Sequence, residues 1–277
     1  MRRETILITG AGGRVARMLR CRLARPGRTL RLLDPAELTA EPGEVVFTGS
    51  VTDAALMARA AAGCDAILHL GGLPGEAPWA ALAEVNVEGT RTVLEAARLA
   101  GVPRVLLASS AHVAGFYRRP GAIPRPRGVT GPADPLPADA PARPDTLYGV
   151  SKAAAEALGS LYADRFGLAV YALRLGDCAP EPPGEWALHS WLSPGDAARL
   201  VEACLSSALI GYQVVWGISR NARRWWSLTE GERIGYHPAD DAEEYAGAIA
   251  AAHGDRATTL GLAGGRSAVA PLGERRR

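Results

Sequence analysis

All but one of the 31 basic residues in this 277-residue chain are arginine, and the single lysine, Lys152, follows Tyr148 by four positions. On a helix that spacing puts phenol and ammonium on one face. A neighbouring cation favours a phenolate, so the pair predicts a tyrosine of lowered pKa that exchanges a proton with a substrate hydroxyl near neutral pH. The compact amine can also reach a nicotinamide ribose, which a bulkier guanidinium would do poorly. Ser109 and Ser110 end the apolar run RVLLASS and offer a hydroxyl to orient a substrate oxygen beside Tyr148. A second constellation lies near the start, where TGAGGRVA spans residues 9 to 16. Glycines after a strand and before a helix let the backbone approach a pyrophosphate, whose charge the helix N-terminus stabilises. Ala16 stands where a third glycine is common. Asp34, 21 residues beyond Gly13, ends the next apolar run. A carboxylate there accepts hydrogen bonds from both adenosine ribose hydroxyls and repels a 2′-phosphate, which favours NAD over NADP. Arg14 and Arg31 are the two cations placed to argue the opposite.

The elements that must position these residues follow one rhythm. TILIT (5–9), TLRLLD (29–34), EVVFTG (44–49), DAILHLGG (65–72), RVLLASS (104–110) and LAVYALRL (168–175) read as strands. Helical spacing at 13–25, 53–62, 80–100 and 146–166 separates several of them. Alternating strands and helices imply right-handed crossovers, hence an α/β fold with a Rossmann-type doubly wound parallel sheet. From Arg118 to Asp145 the rhythm stops, because eight prolines fall between Pro120 and Pro144. Such a long loop is expected to act as a lid. Beyond it, a helix at 194–207, a strand at 212–219 returning to the sheet, and RRWWSLTE (223–230) suggest a small C-terminal substrate lobe. The expected division is 1–177 for the nucleotide-binding domain, 178–265 for the lobe and 266–277 for a flexible tail.

Composition narrows the partners. A net charge of +2 provides no field to attract nucleic acid. No apolar run approaches the ~18 residues of a bilayer span, and 48% hydrophobic content excludes a disordered chain. The first residues lack a signal core, so a cytoplasmic protein is expected. Cys21, Cys64, Cys178 and Cys204 lack metal-binding spacing and read as reduced thiols, so no metal is expected.

The glycine loop, Asp34, HLGG (69–72), NVEGT (86–90), SSAHVAGFY (109–117), RPDTLYGVSK (143–152), RLGDCAPEP (174–182), SWLS (190–193) and VVWGIS (214–219) together resemble the extended-type short-chain dehydrogenase/reductases. Among these the chain is most similar to the uronate dehydrogenases, from Ile6 to about Tyr245. The resemblance implies Ser110, Tyr148 and Lys152 as the catalytic triad. It implies an NAD site lined by Gly10, Gly13, Arg14, Val15, Asp34, Leu70, Gly71, Lys152 and Cys178, with His112 beside the substrate. Four pocket positions depart from the family pattern. Pro74 and Asp177 replace serines, Ala111 replaces an asparagine, and Trp186 replaces the arginine expected to hold a substrate carboxylate. Arg118, Arg119, Arg125 and Arg127 in the proline-rich loop are the available substitutes for that cation. The expectation is a homodimeric or larger NAD-dependent oxidoreductase acting on a hydroxyl or hemiacetal of a polyhydroxylated or cyclic small molecule. The alternatives are a true uronate dehydrogenase, an epimerase or dehydratase with retained NAD, and a non-catalytic NAD sensor.

Overall fold

Strands buried on both faces need apolar side chains at every position, and the first strand, β1 (Glu4–Thr9), shows how they divide. Ile6 and Ile8 point to one side of the sheet with Leu30, Leu32 and Leu68, while Leu7 points to the other with Leu33 and Ile67. In the computed structural model, which describes residues 4–118, 135–253 and 261–274, seven parallel strands form one sheet in the order β3-β2-β1-β4-β5-β6-β9. They are β1, β2 (Arg28–Asp34), β3 (Glu44–Thr48), β4 (Ala66–His69), β5 (Arg104–Ser110), β6 (Ala169–Leu175) and β9 (Tyr212–Gly217). Between the last two, β7 (Asp177–Cys178) and β8 (Trp191–Leu192) pair as a separate two-stranded sheet. The helices are α1 (Arg14–Leu23), α2 (Ala54–Ala61), α3 (Trp79–Leu82), α4 (Gly89–Ala100), α5 (Leu147–Phe166), α6 (Ala187–Ser190) and α7 (Pro194–Ser206). Leu19 and Leu23 of α1 and Leu200 of α7 cover one face; Met57 of α2, Val93 of α4 and Tyr162 of α5 cover the other. The sheet is therefore doubly wound, and its strand order reverses between β1 and β4, the switch point at which ligands of such sheets bind.

Several local expectations need correction. The run read as a strand over 65–72 pairs only from Ala66 to His69, because Leu70 to Gly72 turn out of the sheet to meet the glycine loop. The helix read over 80–100 is α3, a π-helical turn at Ala83–Glu88, and α4. The π-turn turns Asn86 inward, and such turns recur at functional sites. RRWWSLTE bridges to Leu136, through Leu136 N–H to Trp225 O (2.7 Å) and Ser227 N–H to Leu136 O (2.9 Å). Residues 119–134 of the proline-rich stretch, with Arg119, Arg125 and Arg127, lie outside the described residues. Its flanks are tied together, Phe116 N–H to Arg143 O at 3.0 Å and Arg143 N–H to Val113 O at 2.8 Å. Residues 266–274, expected as a flexible tail, are largely exposed, Val269 and Leu272 among them, and Gly273 N–H donates to Glu76 at 2.8 Å. A 3-10 turn at Gly265–Val269 follows two bonds onto the loop after β5, Ala263 N–H to Tyr117 O (2.8 Å) and Gly264 N–H to Gly115 O (2.9 Å). The boundary expected at 177 does not separate two cores either, since Leu200 and Val215 share a cluster with Ile6.

Helix α5 is fixed to the sheet by a buried polar network. Arg174 of β6 donates to both oxygens of Glu156 (2.9 and 2.8 Å), Ser109 donates to the same carboxylate, and Arg174 also reaches Ala140 O at 2.9 Å. The side chains are 4% and 9% exposed, so removing one charge strands the other. Glu156→Leu is expected to lower unfolding free energy by roughly 3–5 kcal/mol in urea denaturation, and the double variant with Arg174→Met by less. A loss below about 1 kcal/mol would count against this anchoring role.

Candidate active site

The glycine loop follows β1 directly and packs backbone against backbone on the end of β4. Gly10 has φ +67°, and a Cβ there would lie 2.7 Å from Gly71 N, so both conformation and contact demand glycine. A side chain at Gly12 would strike the Asp34 carboxylate, 3.1 Å from its Cβ position. Asp34 itself accepts from Gly12 N–H through one oxygen and from Ala36 N–H through the other, both at 2.9 Å. It thus shapes the loop as well as presenting a carboxylate at the end of β2. Gly13 caps α1 without a side-chain hydrogen bond, and no acidic residue occupies the helix's first turn. Amides of that kind suit an anion. A backbone cradle, an open helix N-terminus and a fixed carboxylate at the switch point are the parts a dinucleotide requires, and the residues fit one.

The two arginines weighed against NAD separate in the structure. Arg31 donates to Ala60 O (2.8 Å) and Ala62 O (2.6 Å), closing the C-terminal end of α2. Arg14 is the exposed first residue of α1. Val15 and Leu70 pack partly buried against the core, while Cys178 is buried on β7, its thiol pushed up to about 12 by burial. That thiol is inert as a nucleophile.

A buried chain of hydrogen bonds supports the end of β4. Thr90 donates to Asn86 O (2.6 Å), so its oxygen accepts from His69 Nε2–H (3.0 Å). The other ring nitrogen, Nδ1, then accepts from the Thr9 hydroxyl at 2.7 Å, and Thr9 Oγ1 accepts from Gly71 N–H at 3.2 Å. Burial, reinforced by the charge of Lys152, lowers His69 to about 3 and keeps it neutral in this role.

Tyr148 and Lys152 lie in the first two turns of α5, where Thr146 accepts from Gly149 N–H at 2.9 Å. Close approach to the turn after β5 needs Gly149, whose Cβ would stand 2.5 Å from His112 O. The Ser110 hydroxyl accepts from His112 N–H at 3.2 Å, and it lies near enough to the Tyr148 phenol to favour the phenolate. The structure therefore brings Ser110, His112, Tyr148 and Lys152 together. It does not reproduce the expected lowering of the phenol. Burial raises Tyr148 to about 12, only partly offset by Ser110, and Lys152 instead donates to Ala108 O at 2.8 Å with Nζ 5.7 Å from the Tyr148 ring centre. Burial also lowers Lys152 to about 8. Spacing places the two on one face; it does not specify where Nζ donates its hydrogen bonds. Ser109, the other serine of the pair, points to Glu156 and serves packing.

Three residues that the sequence left without a role enter the site. Asp145, fully buried, accepts from His112 Nδ1 (3.0 Å), fixing a ring that meets Tyr148 edge-on at 6.0 Å. Asn86 holds Leu73 at both its N–H (2.7 Å) and its carbonyl (3.3 Å) and donates to Ser151 at 3.0 Å. Glu76 accepts from Tyr148 N–H at 2.9 Å. The motifs NVEGT and RPDTLYGVSK contain Asn86 and Asp145, which was the only available signal. The departed pocket positions are spread out. Pro74 is exposed in the loop after β4, and Asp177 accepts from the Ser190 hydroxyl at 2.5 Å. Ala111 and Trp186 share a cluster with Trp216, Trp225 and Trp226. The Trp186 indole packs edge-on against Trp225 at 4.8 Å and lies under Gly265. Among the described residues no group of His, Cys, Asp or Glu is arranged to hold a metal ion, and no helix is long and apolar enough to cross a membrane.

A parallel sheet whose switch point carries a glycine cradle beside a Ser, Tyr and Lys constellation defines a nucleotide-dependent redox class. Comparison with known proteins makes the class specific. Residues 6–189 match the NAD dependent epimerase/dehydratase family, and the chain belongs to it. It is 38% identical over 243 residues to the uronate dehydrogenase of Agrobacterium fabrum, covering 87% of each chain. It is 36% identical to the L-arabinose 1-dehydrogenase (NAD(P)(+)) of Haloferax volcanii, covering 86% of this chain and 97% of that one. A crystal structure of a mutant uronate dehydrogenase from Agrobacterium tumefaciens complexed with NAD superposes with a TM-score of 0.87 at 36% identity, covering 97% of this chain and 98% of that one.

Proposed function

We propose that this protein is an NAD-dependent dehydrogenase that interconverts a ring hydroxyl or hemiacetal with the corresponding ketone or lactone, on a neutral or cationic polyhydroxylated substrate. The observation that carries the reading is the joining of Ser110, Tyr148 and Lys152 at the edge of a glycine cradle, with an indole where a carboxylate-binding cation is expected. Bound NAD supplies the hydride chemistry. Tyr148 gives or takes the proton at the substrate oxygen, Ser110 hydrogen-bonds that oxygen, and Lys152 holds the cofactor ribose. His112, oriented by Asp145, contacts the substrate. Gly10, Gly13, Arg14, Val15, Leu70, Gly71 and Cys178 line the cofactor, and Pro74, Ala111, Asp177 and Trp186 the substrate. The neutral aldose named for the Haloferax relative supports the substrate class. Exposed Leu99 on α4 and Leu161 and Phe166 on α5 support self-association, and the free cysteines, three of them buried, support a cytoplasmic setting.

The test is net production of NADH from neutral aldoses and cyclic polyols, followed at 340 nm. A retained-cofactor epimerase or dehydratase would convert substrate with no net change in added NAD, which would replace this reading. The same protein is expected to bind NAD at least about tenfold more tightly than NADP, or ~1.4 kcal/mol, because the Asp34 carboxylate is held in place by two amides. Equal affinities by calorimetry would overturn the assignment of Asp34 and direct attention to Arg14.

A further inference from the structure

A helix's first turn has no intrahelical acceptors for its amides, so it is the part that frays and the part whose geometry depends on outside groups. Tyr148 is the second residue of α5 and lies in that turn. Its own N–H is held at 2.9 Å by Oε2 of Glu76, a residue 72 positions earlier in the chain. The other oxygen, Oε1, accepts from Leu147 N–H at 3.3 Å and from Gly273 N–H at 2.8 Å. With Thr146 holding Gly149, side chains from outside the helix hold the amides of Leu147, Tyr148 and Gly149. A carboxylate is the favoured group at this end of a helix, where it meets the positive end of the dipole.

Glu76 belongs to the loop that leaves β4, which also carries Pro74. Asn86 clamps that loop at Leu73 and donates to Ser151 of α5. The loop is therefore joined to α5 at two places, through Asn86 at Ser151 and through Glu76 at Leu147 and Tyr148. We propose that Glu76 is a positioning residue for the phenol of Tyr148, fixing the first turn of α5 so that the hydroxyl keeps its place relative to Lys152 and to the loop around Pro74. The proposal rests on the acid/base role of Tyr148 given above. Glu76 touches no reacting atom; it acts through the backbone. A misplacement on the order of 1 Å of a reacting group lowers rate by about 10²-fold, which sets the scale.

The experiment compares Glu76→Ala and Glu76→Gln in the full chain, measuring kcat and KM for a neutral aldose, NAD affinity by calorimetry, and amide exchange at the start of α5. Glu76→Ala is expected to lower kcat by about 10- to 100-fold, with NAD affinity unchanged within about twofold and faster exchange at Leu147 and Tyr148. Glu76→Gln keeps an acceptor oxygen and is expected to restore most of the lost kcat and the slow exchange; it also keeps the test open should the alanine variant fold poorly. Unchanged kcat in Glu76→Ala despite faster exchange would overturn the proposal, as would unaltered exchange. Equal losses in both variants, accompanied by loss of NAD binding, would make Glu76 a general structural residue and overturn it too. Absence of NADH production by the unsubstituted protein with every neutral ring alcohol would instead fail the dehydrogenase reading, and the exchange measurements would still report whether Glu76 holds the turn.

Discussion

Tyr148→Phe is expected to lower kcat by roughly 10²- to 10⁴-fold while NAD affinity stays within about twofold, because the substitution removes the proton-exchanging group and leaves the ring. The structure sharpens what that proton does. Burial holds the phenol at about 12 despite the Ser110 hydroxyl, so in the free protein it carries its proton at neutral pH. It is ready to donate to a carbonyl oxygen in the reductive direction; in the oxidative direction it must first lose that proton. Lys152→Arg is expected to fail by a comparable factor although charge is preserved. The Lys152 side chain is buried, donates to Ala108 O at 2.8 Å and lies close to Gly72, where a Cβ would be 3.7 Å from Nζ. A planar guanidinium cannot occupy that space without moving β5 or the loop after β4. Steady-state kinetics on both variants decide the matter. Near-native turnover in Lys152→Arg would show that the only lysine of the chain has no catalytic part.

The sheet could be read from sequence because its strands are buried on both faces and appear as continuous apolar runs, as in VLL of β5 and ILIT of β1. Where the reading failed, a long-range contact decided the outcome. Leu70 to Gly72 are apolar or small like the strand before them, yet they leave it because Gly10 packs on Gly71. The π-turn around Asn86 leaves no trace in hydropathy, since inserting it into a helix preserves the apolar face on either side. The proposed triad is legible because Tyr148 and Lys152 are close in sequence and Ser110 ends a strand. Their supports are not, because Asp145 meets His112 across 33 residues and Glu76 meets Tyr148 across 72. An isolated carboxylate gives no sign of which backbone it will hold. The misread direction of Tyr148's pKa has the same origin: helical spacing puts two side chains on a face, whereas burial, set by the whole fold, determines the charge state.

Glucuronate and galacturonate are expected to be poorer substrates than their neutral analogues by roughly 10- to 150-fold in kcat/KM, the effect of losing one charge-assisted hydrogen bond worth about 1.5–3 kcal/mol. In the proposed pocket Trp186 takes the position of the cation, and its indole is committed to Trp225 at 4.8 Å and to the backbone at Gly265. Two other described arginines are engaged elsewhere, Arg143 over the Tyr117 ring at 5.3 Å and Arg174 paired with Glu156, whereas Arg118, where the proline-rich loop begins, is exposed. Asp177 adds a negative charge on β7, steadied by Ser190, and an anion brought beside it in a partly dry pocket is opposed rather than paired. In that proposed pocket a neutral ring would present hydroxyls to the carboxylate, and a protonated nitrogen would be better still. The measurement is a comparison of uronates with neutral aldoses in both redox directions, extended to the Asp177→Ser/Trp186→Arg double variant, which should recover uronate oxidation at the expense of the neutral substrate. Uronate oxidation by the unsubstituted protein with kcat/KM near ~10⁴ M⁻¹s⁻¹ or above would overturn this account of the pocket and assign carboxylate binding to arginines of the proline-rich loop.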